Sequence, residues 1–124
     1  MKVLNGYGSR TKYIYVEMEK VTMENKKASY LPNGSVVLIE GNKNRIIICG
    51  RMVRKHGIKE MFDYMGYRYP HGYQNQGDEI FFMHSQIEMV FFLGFQDMEE
   101  LVYREVLLTM SETIDREEEE NNYE

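Results

Sequence analysis

The stretch LPNGSVVLIEGNKNRIIICGRMV, residues 31–53, decides the fold because it encodes two β-strands joined by a turn of hairpin length. The proline of LPNG fixes its φ angle and the Asn-Gly pair after it tolerates positive φ, so the chain turns before the first strand. Residues 35–40 and 45–53 are rich in β-branched side chains, and the four residues between them are turn formers. The sequence therefore predicts a β-hairpin here.

Three more strand patterns follow the hairpin, in residues 61–69, 79–83 and 87–95. Turn-forming and polar residues separate them, the last break being residues 84–86. The final strand contains the most apolar run of the chain, residues 89–93, which must be buried on both faces or covered by a helix.

The clearest helix begins at Asp97, where Asp97 and Glu100 have the spacing of a capping box. Spacings of three and four predict an apolar stripe that packs against the sheet, formed by Tyr103, Val106, Leu107, Met110 and Ile114. Glu100 with Arg104, and Glu112 with Arg116, are spaced to pair on the outer side of the helix.

Five or six short strands joined by local turns and followed by one helix predict an α+β fold. We expect an antiparallel sheet, either strongly curled or closed as a small β-barrel of five or six strands, with the C-terminal helix packed on it.

The chain divides into three parts. Residues 1–29 form an N-terminal extension, in which the alternation of residues 13–21 favours a strand over a short amphipathic helix that runs on to Lys27. Residues 30–114 form the β-rich domain with its C-terminal helix. Residues 115–124 hold six acidic residues and one arginine, and these like charges predict a disordered acidic tail.

The net charge of −5 belongs to that tail, because the rest of the chain carries 14 acidic and 14 basic residues. A neutral body without a basic stripe argues against nucleic-acid binding. No apolar run reaches the length of a membrane span, and Gly6 interrupts the N-terminus before a secretion signal could form. The single cysteine, Cys49, is expected to pack as a small buried hydrophobe, which fits a reducing, cytoplasmic compartment.

No residue pattern indicates a catalytic, cofactor or metal site. The histidines His56, His71 and His84 are not at metal-ligand spacing, and no Cys-x-x-Cys motif is present. Ser85, His84 and Asp78 could assemble a triad, since triads are recognised by geometry. However, Ser85 lies in no nucleophile turn. We therefore expect no catalysis, cofactor or metal.

The tyrosines are more informative, because ten of them in 124 residues exceed what a core requires. Tyrosine offers a large contact area with a polar end and is enriched in protein interfaces. The candidate protein-binding residues are Tyr64, Tyr67, Tyr69 and Tyr73, although packing within the sheet explains any single one equally well.

Six landmarks follow one another along the chain: LPNGSVV at 31–37, IIICGR at 46–51, FDY at 62–64, YPHG at 69–72, FFMHSQI at 81–87 and VFFLGFQD at 90–97. In this combination the chain resembles a family of small proteins encoded beside LXG-toxin genes in the type VII secretion loci of Gram-positive bacteria. The resemblance covers about residues 30–105 and brings no catalytic residues with it.

The resemblance implies a cytoplasmic protein-binding accessory factor, a chaperone or targeting factor, whose partner is a type VII secreted LXG toxin. Two alternatives remain open. One is an immunity protein that neutralises a cognate toxin, in which the acidic tail imitates an anionic substrate, and the other is an enzyme with an unrecognised site. Neither nucleic acid nor a membrane is expected as a partner, and the sequence leaves self-association open.

Overall fold

The computed structural model of the chain describes residues 2–3 and 30–122, with side chains described for residues 30–117. Its strands are β1 Lys2–Val3, β2 Val36–Ile39, β3 Ile46–Arg54, β4 Met61–Arg68, β5 Ile80–Phe82 and β6 Ile87–Phe92. A 3-10 turn, His84–Gln86, precedes β6, and the helix α1 spans Met98–Asn122. The strand predicted in residues 13–21 lies outside the described residues.

The strands form one sheet in the order β1-β6-β2-β3-β4-β5. Strands β2 to β6 pair antiparallel, and the two residues of β1 pair parallel with β6. The predicted α+β fold, an antiparallel sheet with one C-terminal helix, is confirmed. The sheet ends at β1 and β5 and stays open, so the alternative of a closed β-barrel does not form. No helix in the described part of the chain has both the length and the apolar character needed to cross a membrane.

The predicted hairpin is formed by β2 and β3, where Val36 pairs with Ile47 and Val37 with Ile46. Strand β3 is the longest in the sheet, and it continues past the hairpin to pair with β4. The hairpin therefore connects the two halves of the sheet.

One face of the sheet packs against α1 and forms the hydrophobic core. Every strand from β2 to β6 contributes to the buried cluster, which contains Tyr30, Leu31, Val37, Ile39, Ile46, Ile48, Tyr64, Phe82, Ile87, Val90 and Leu107. The ring of Tyr64 stacks on that of Phe82 with centroids 5.3 Å apart, and it meets Tyr30 edge-on at 5.9 Å. Tyr64 is thus at the centre of the core.

Cys49 lies on the opposite face of the sheet from this core. Side chains alternate along β3, so Ile46 and Ile48 point inward while Cys49 points away. A register shift between Ile48 and Gly50 makes Cys49 the extra residue of a bulge. Cys49 is exposed, and the expectation that it packs as a buried hydrophobe is wrong. An apolar run in the sequence does not reveal which face each residue takes.

The loop of residues 31–35 packs closely against Gly94, just after β6. The Ser35 hydroxyl donates to the carbonyl oxygen of Pro32 at 2.8 Å and accepts the Gly94 N–H at 3.0 Å. A Cβ atom at Gly94 would collide with the carbonyl oxygen of Asn33. The structure therefore requires glycine at this position, because a side chain would force the loop away from the sheet.

Helix α1 begins as predicted, since the Asp97 Oδ1 accepts the N–H of Glu100 at 2.9 Å. The second half of the predicted capping box is replaced, because both carboxylate oxygens of Glu100 bond to arginine side chains, Arg51 and Arg104. The Glu100–Arg104 pair is confirmed at 3.0 Å, but Glu100 faces the sheet instead of the outer side. Glu112 and Arg116 form no ion pair among the described side chains.

The face that α1 turns towards the sheet differs from the predicted apolar stripe. Leu107 and Ser111 are buried, whereas Tyr103, Val106 and Met110 are about half exposed. The helix is rotated so that Glu100 can meet Arg51, which places much of the apolar stripe at the surface.

The helix also extends further than expected, because it continues to Asn122 through residues that the sequence assigns to a disordered acidic tail. Glutamate has a high helix propensity, and here this preference prevails over the repulsion between like charges.

Gly94→Ala should lower the free energy of unfolding by about 2 kcal/mol, because the added methyl group meets backbone atoms that cannot move independently. Urea unfolding monitored by far-ultraviolet circular dichroism measures the change. Gly50→Ala is the matched control, since a Cβ there makes only ordinary van der Waals contacts. An equal loss in the two variants would contradict the close approach of the loop.

Candidate functional site

An ion pair joins β3 to the start of α1. The Arg51 guanidinium makes two hydrogen bonds to the Glu100 carboxylate, at 2.6 and 2.7 Å, and both side chains are largely buried. The guanidinium also lies 5.4 Å from the ring centre of Tyr103. Burial alone would raise the pKa of Glu100, but the hydrogen bonds and charges of Arg51 and Arg104 outweigh it and lower the pKa. The arrangement fixes the helix on the sheet, and no catalytic role is needed to explain it.

Glu100→Gln should lower the free energy of unfolding by about 3 kcal/mol at neutral pH, because it leaves the Arg51 cation buried beside a neutral partner. Urea unfolding measures this loss. Glu99→Gln, at an exposed neighbouring position of the same helix turn, should change the stability by less than about 0.5 kcal/mol. If the two variants lose the same stability, the ion pair does not hold the helix.

A second polar network crosses the core at Tyr64. Its hydroxyl accepts the backbone N–H of Leu31 at 2.9 Å and lies 2.7 Å from Nδ1 of the His84 ring. The backbone N–H of His84 donates to Asp63 Oδ2 at 2.8 Å. If the Tyr64 O–H donates to Nδ1, His84 is neutral and carries its proton on Nε2, which is buried without a partner among the described residues. Burial raises the pKa of Tyr64 and lowers that of His84, although Asp63 partly opposes the latter. Burial therefore favours the neutral forms of Tyr64 and His84.

The free energy of unfolding should fall as the pH drops below about 6.5, because the unfolded chain takes up a proton on His84 more readily than the folded chain. His84→Asn keeps an acceptor near Nδ1 but does not titrate, so this part of the pH dependence should disappear in that variant. Urea unfolding between about pH 5 and pH 8 tests it. His71→Asn, at an exposed position, is the control and should retain the wild-type dependence.

Asp78 and His84, two of the three residues that could form a triad, serve separate local structures. The Asp78 carboxylate accepts the N–H groups of Gln74 and Asn75, at 3.3 and 2.9 Å, and so closes the loop before β5. His84 is committed to Tyr64, as described above. Among the described residues, no group of three His, Cys, Asp or Glu side chains is placed to hold a metal ion.

The four candidate tyrosines separate into one core residue and three surface residues. Tyr64 is fully buried and cannot contact a partner. The rings of Tyr67 and Tyr73 meet edge-on with centroids 5.6 Å apart. The ring centre of Tyr69 lies 4.8 Å from the Arg45 guanidinium carbon. These three remain available at the surface.

The three surface tyrosines belong to the sheet face opposite α1. The cross-strand pairs Ile47–Tyr67 and Met65–Phe81 mark this face, because their strand neighbours point into the core. We call this surface the outer face, and it contains Leu38, Arg45, Ile47, Met65, Tyr67, Tyr69, Tyr73, Phe81, Met89 and Phe91. All of them are half-buried or exposed. The outer face is therefore an apolar, aromatic surface with solvent access.

Among the described residues, Arg45 places a cation near the aromatic rings of the outer face, and carboxylates lie at one side. The Arg45 guanidinium lies near the rings of both Tyr69 and Phe91, at 4.8 and 5.5 Å. Partial burial, followed by the charge of Glu79, raises the pKa of Tyr67. No local sequence pattern indicates the Arg45–Phe91 contact, because it joins residues far apart in the chain.

Together these features define a small α+β domain whose buried polar groups stabilise the fold and whose sheet exposes an aromatic face. Residues 30–103 match the model of a domain of unknown function, DUF4176, and the chain belongs to this family. No curated protein and no solved structure matches the chain. The matched residues begin at the buried Tyr30 and include both partners of the Arg51–Glu100 pair.

Proposed function

We propose that this protein is a cytoplasmic accessory factor, a chaperone or targeting factor, that binds an LXG toxin exported by type VII secretion. The order of the landmarks, LPNGS at 31–35 and YPHG at 69–72 among them, supports this partner. The observation that carries the proposal is the outer face, because a sheet surface rich in tyrosine, phenylalanine and methionine is suited to binding protein.

The contacts between its side chains prepare the outer face for binding. The edge-on packing of Tyr67 on Tyr73 and the stacking of Arg45 on Tyr69 restrict these side chains before any partner arrives. Ordering a side chain on binding costs about 0.5–1.5 kcal/mol, so a surface that is already ordered binds more tightly. Methionines such as Met65 and Met89 add a surface that adapts to the shape of the partner.

The proposed role follows from what such a surface does for an exported protein. A toxin that must stay competent for secretion exposes apolar segments, and those segments aggregate unless another protein covers them. The outer face covers such a segment while the rest of the domain stays folded on its own core.

Copurification of the full-length protein with the LXG protein encoded beside it tests the proposal, and failure of the two to associate would contradict it. The double substitution Tyr69→Ser with Tyr73→Ser should weaken association at least tenfold, equal to about 1.4 kcal/mol, because both are exposed aromatic anchors. Isothermal titration calorimetry measures the affinity.

Ile58→Ser is the matched control, since Ile58 is 41% exposed, close to the 40% of Tyr69, and lies in the connection between β3 and β4. It should leave the affinity within about twofold. The immunity alternative gives a different result: truncation after residue 114 would abolish protection against the toxin, whereas binding through the outer face tolerates that truncation.

A further inference from the structure

Helix α1 carries a second exposed apolar surface, separate from the outer face. Met98, Val102, Val106 and Met110 are spaced by four residues, so they form one continuous ridge along the helix. Each of them is at least 46% exposed. We call these four residues the helix ridge.

The contacts of α1 with the sheet leave the helix ridge uncovered. Glu100, Leu107 and Ser111 face the sheet, and Val106 lies about 100° around the helix from Leu107. The ridge spans about 18 Å of helix, which is enough to contact three turns of another helix.

The charges around the ridge restrict what can cover it. Among the described side chains of α1, residues 98–117, the exposed acidic residues are Glu99, Glu105, Glu112 and Glu117, while Arg116 is the one exposed basic residue. Arg104 is half-buried and paired with Glu100. The helix ridge is therefore an apolar strip in a negative field, and it favours a positively charged partner.

We infer that the helix ridge binds an amphipathic helix of a partner protein, in which lysine and arginine residues flank the apolar face. A second copy of this chain fits poorly, because it would bring the same glutamates against each other. An anionic membrane surface is repelled for the same reason. The inference goes beyond the proposed function, since it concerns another surface and a partner defined by its chemistry.

Two synthetic amphipathic helical peptides with the same leucine positions, one with lysine and one with glutamate at the polar positions, test this inference on the full-length protein. Fluorescence anisotropy of the labelled peptides should show binding of the lysine peptide that weakens between about 0.01 M and about 0.15 M salt. The glutamate peptide should bind at least tenfold more weakly. Equal affinity for the two peptides would overturn the inference.

The double substitution Val102→Asn with Val106→Asn separates the apolar ridge from attraction by charge alone. It keeps every charge and a similar helix propensity, and it should weaken binding of the lysine peptide by about tenfold. Leu101→Asn is the matched control, because Leu101 and Val106 are both 46% exposed and Leu101 lies on another side of the helix. That control should leave the affinity within about twofold.

Two further results would overturn the inference. Unchanged binding in the double variant would show that the lysine peptide is held by charge alone. Sedimentation that shows a dimer of the wild-type protein, lost in the double variant, would show that a second copy covers the ridge. Neither result would affect binding through the outer face, because the Tyr69 and Tyr73 variants report on that surface independently.

Discussion

The ion pair between Arg51 and Glu100 determines which side of α1 meets the sheet. A charged residue inside a β-strand that packs against the core needs a partner, because an unpaired buried guanidinium costs several kcal/mol. Glu100 supplies it by accepting two hydrogen bonds, and Arg104 donates to the same carboxylate. Leu107 and Ser111 lie on the same side of the helix as Glu100, so they pack against the sheet when Glu100 contacts β3. The apolar residues on the neighbouring sides of the helix stay exposed.

The same constraint explains which features the sequence could predict. The hairpin, the later strands and the Asp97 cap depend on neighbours within a few residues, and all of them are present. The rotation of α1 depends on Arg51, 49 residues before Glu100, and no local pattern contains that pairing. An arginine within the apolar run of β3 was the available signal, since buried arginines are almost always paired.

The candidate site shows the same division between local and long-range information. The sequence identified a cluster of tyrosines but could not separate the core residue Tyr64 from the surface residue Tyr67, because both lie in one strand of mixed aromatic pattern. Alternation along β4 and the bonds of Tyr64 to Leu31 and His84 separate them. The Cys49 prediction was wrong because the composition of an apolar run does not show which face of the sheet each residue takes.

The outer face and the helix ridge differ in how much of each lies within the residues that match the family model. Arg51, Glu100 and Tyr103, which set the position of α1, all lie within the matched residues 30–103. Val106 and Met110 of the helix ridge lie beyond the match, in the part of the helix that follows the ion pair of Glu100. The family region thus fixes the direction of the helix, whereas residues outside it make up much of the surface that the helix presents. All the residues of the outer face therefore lie within the match, whereas only Met98 and Val102 of the helix ridge do.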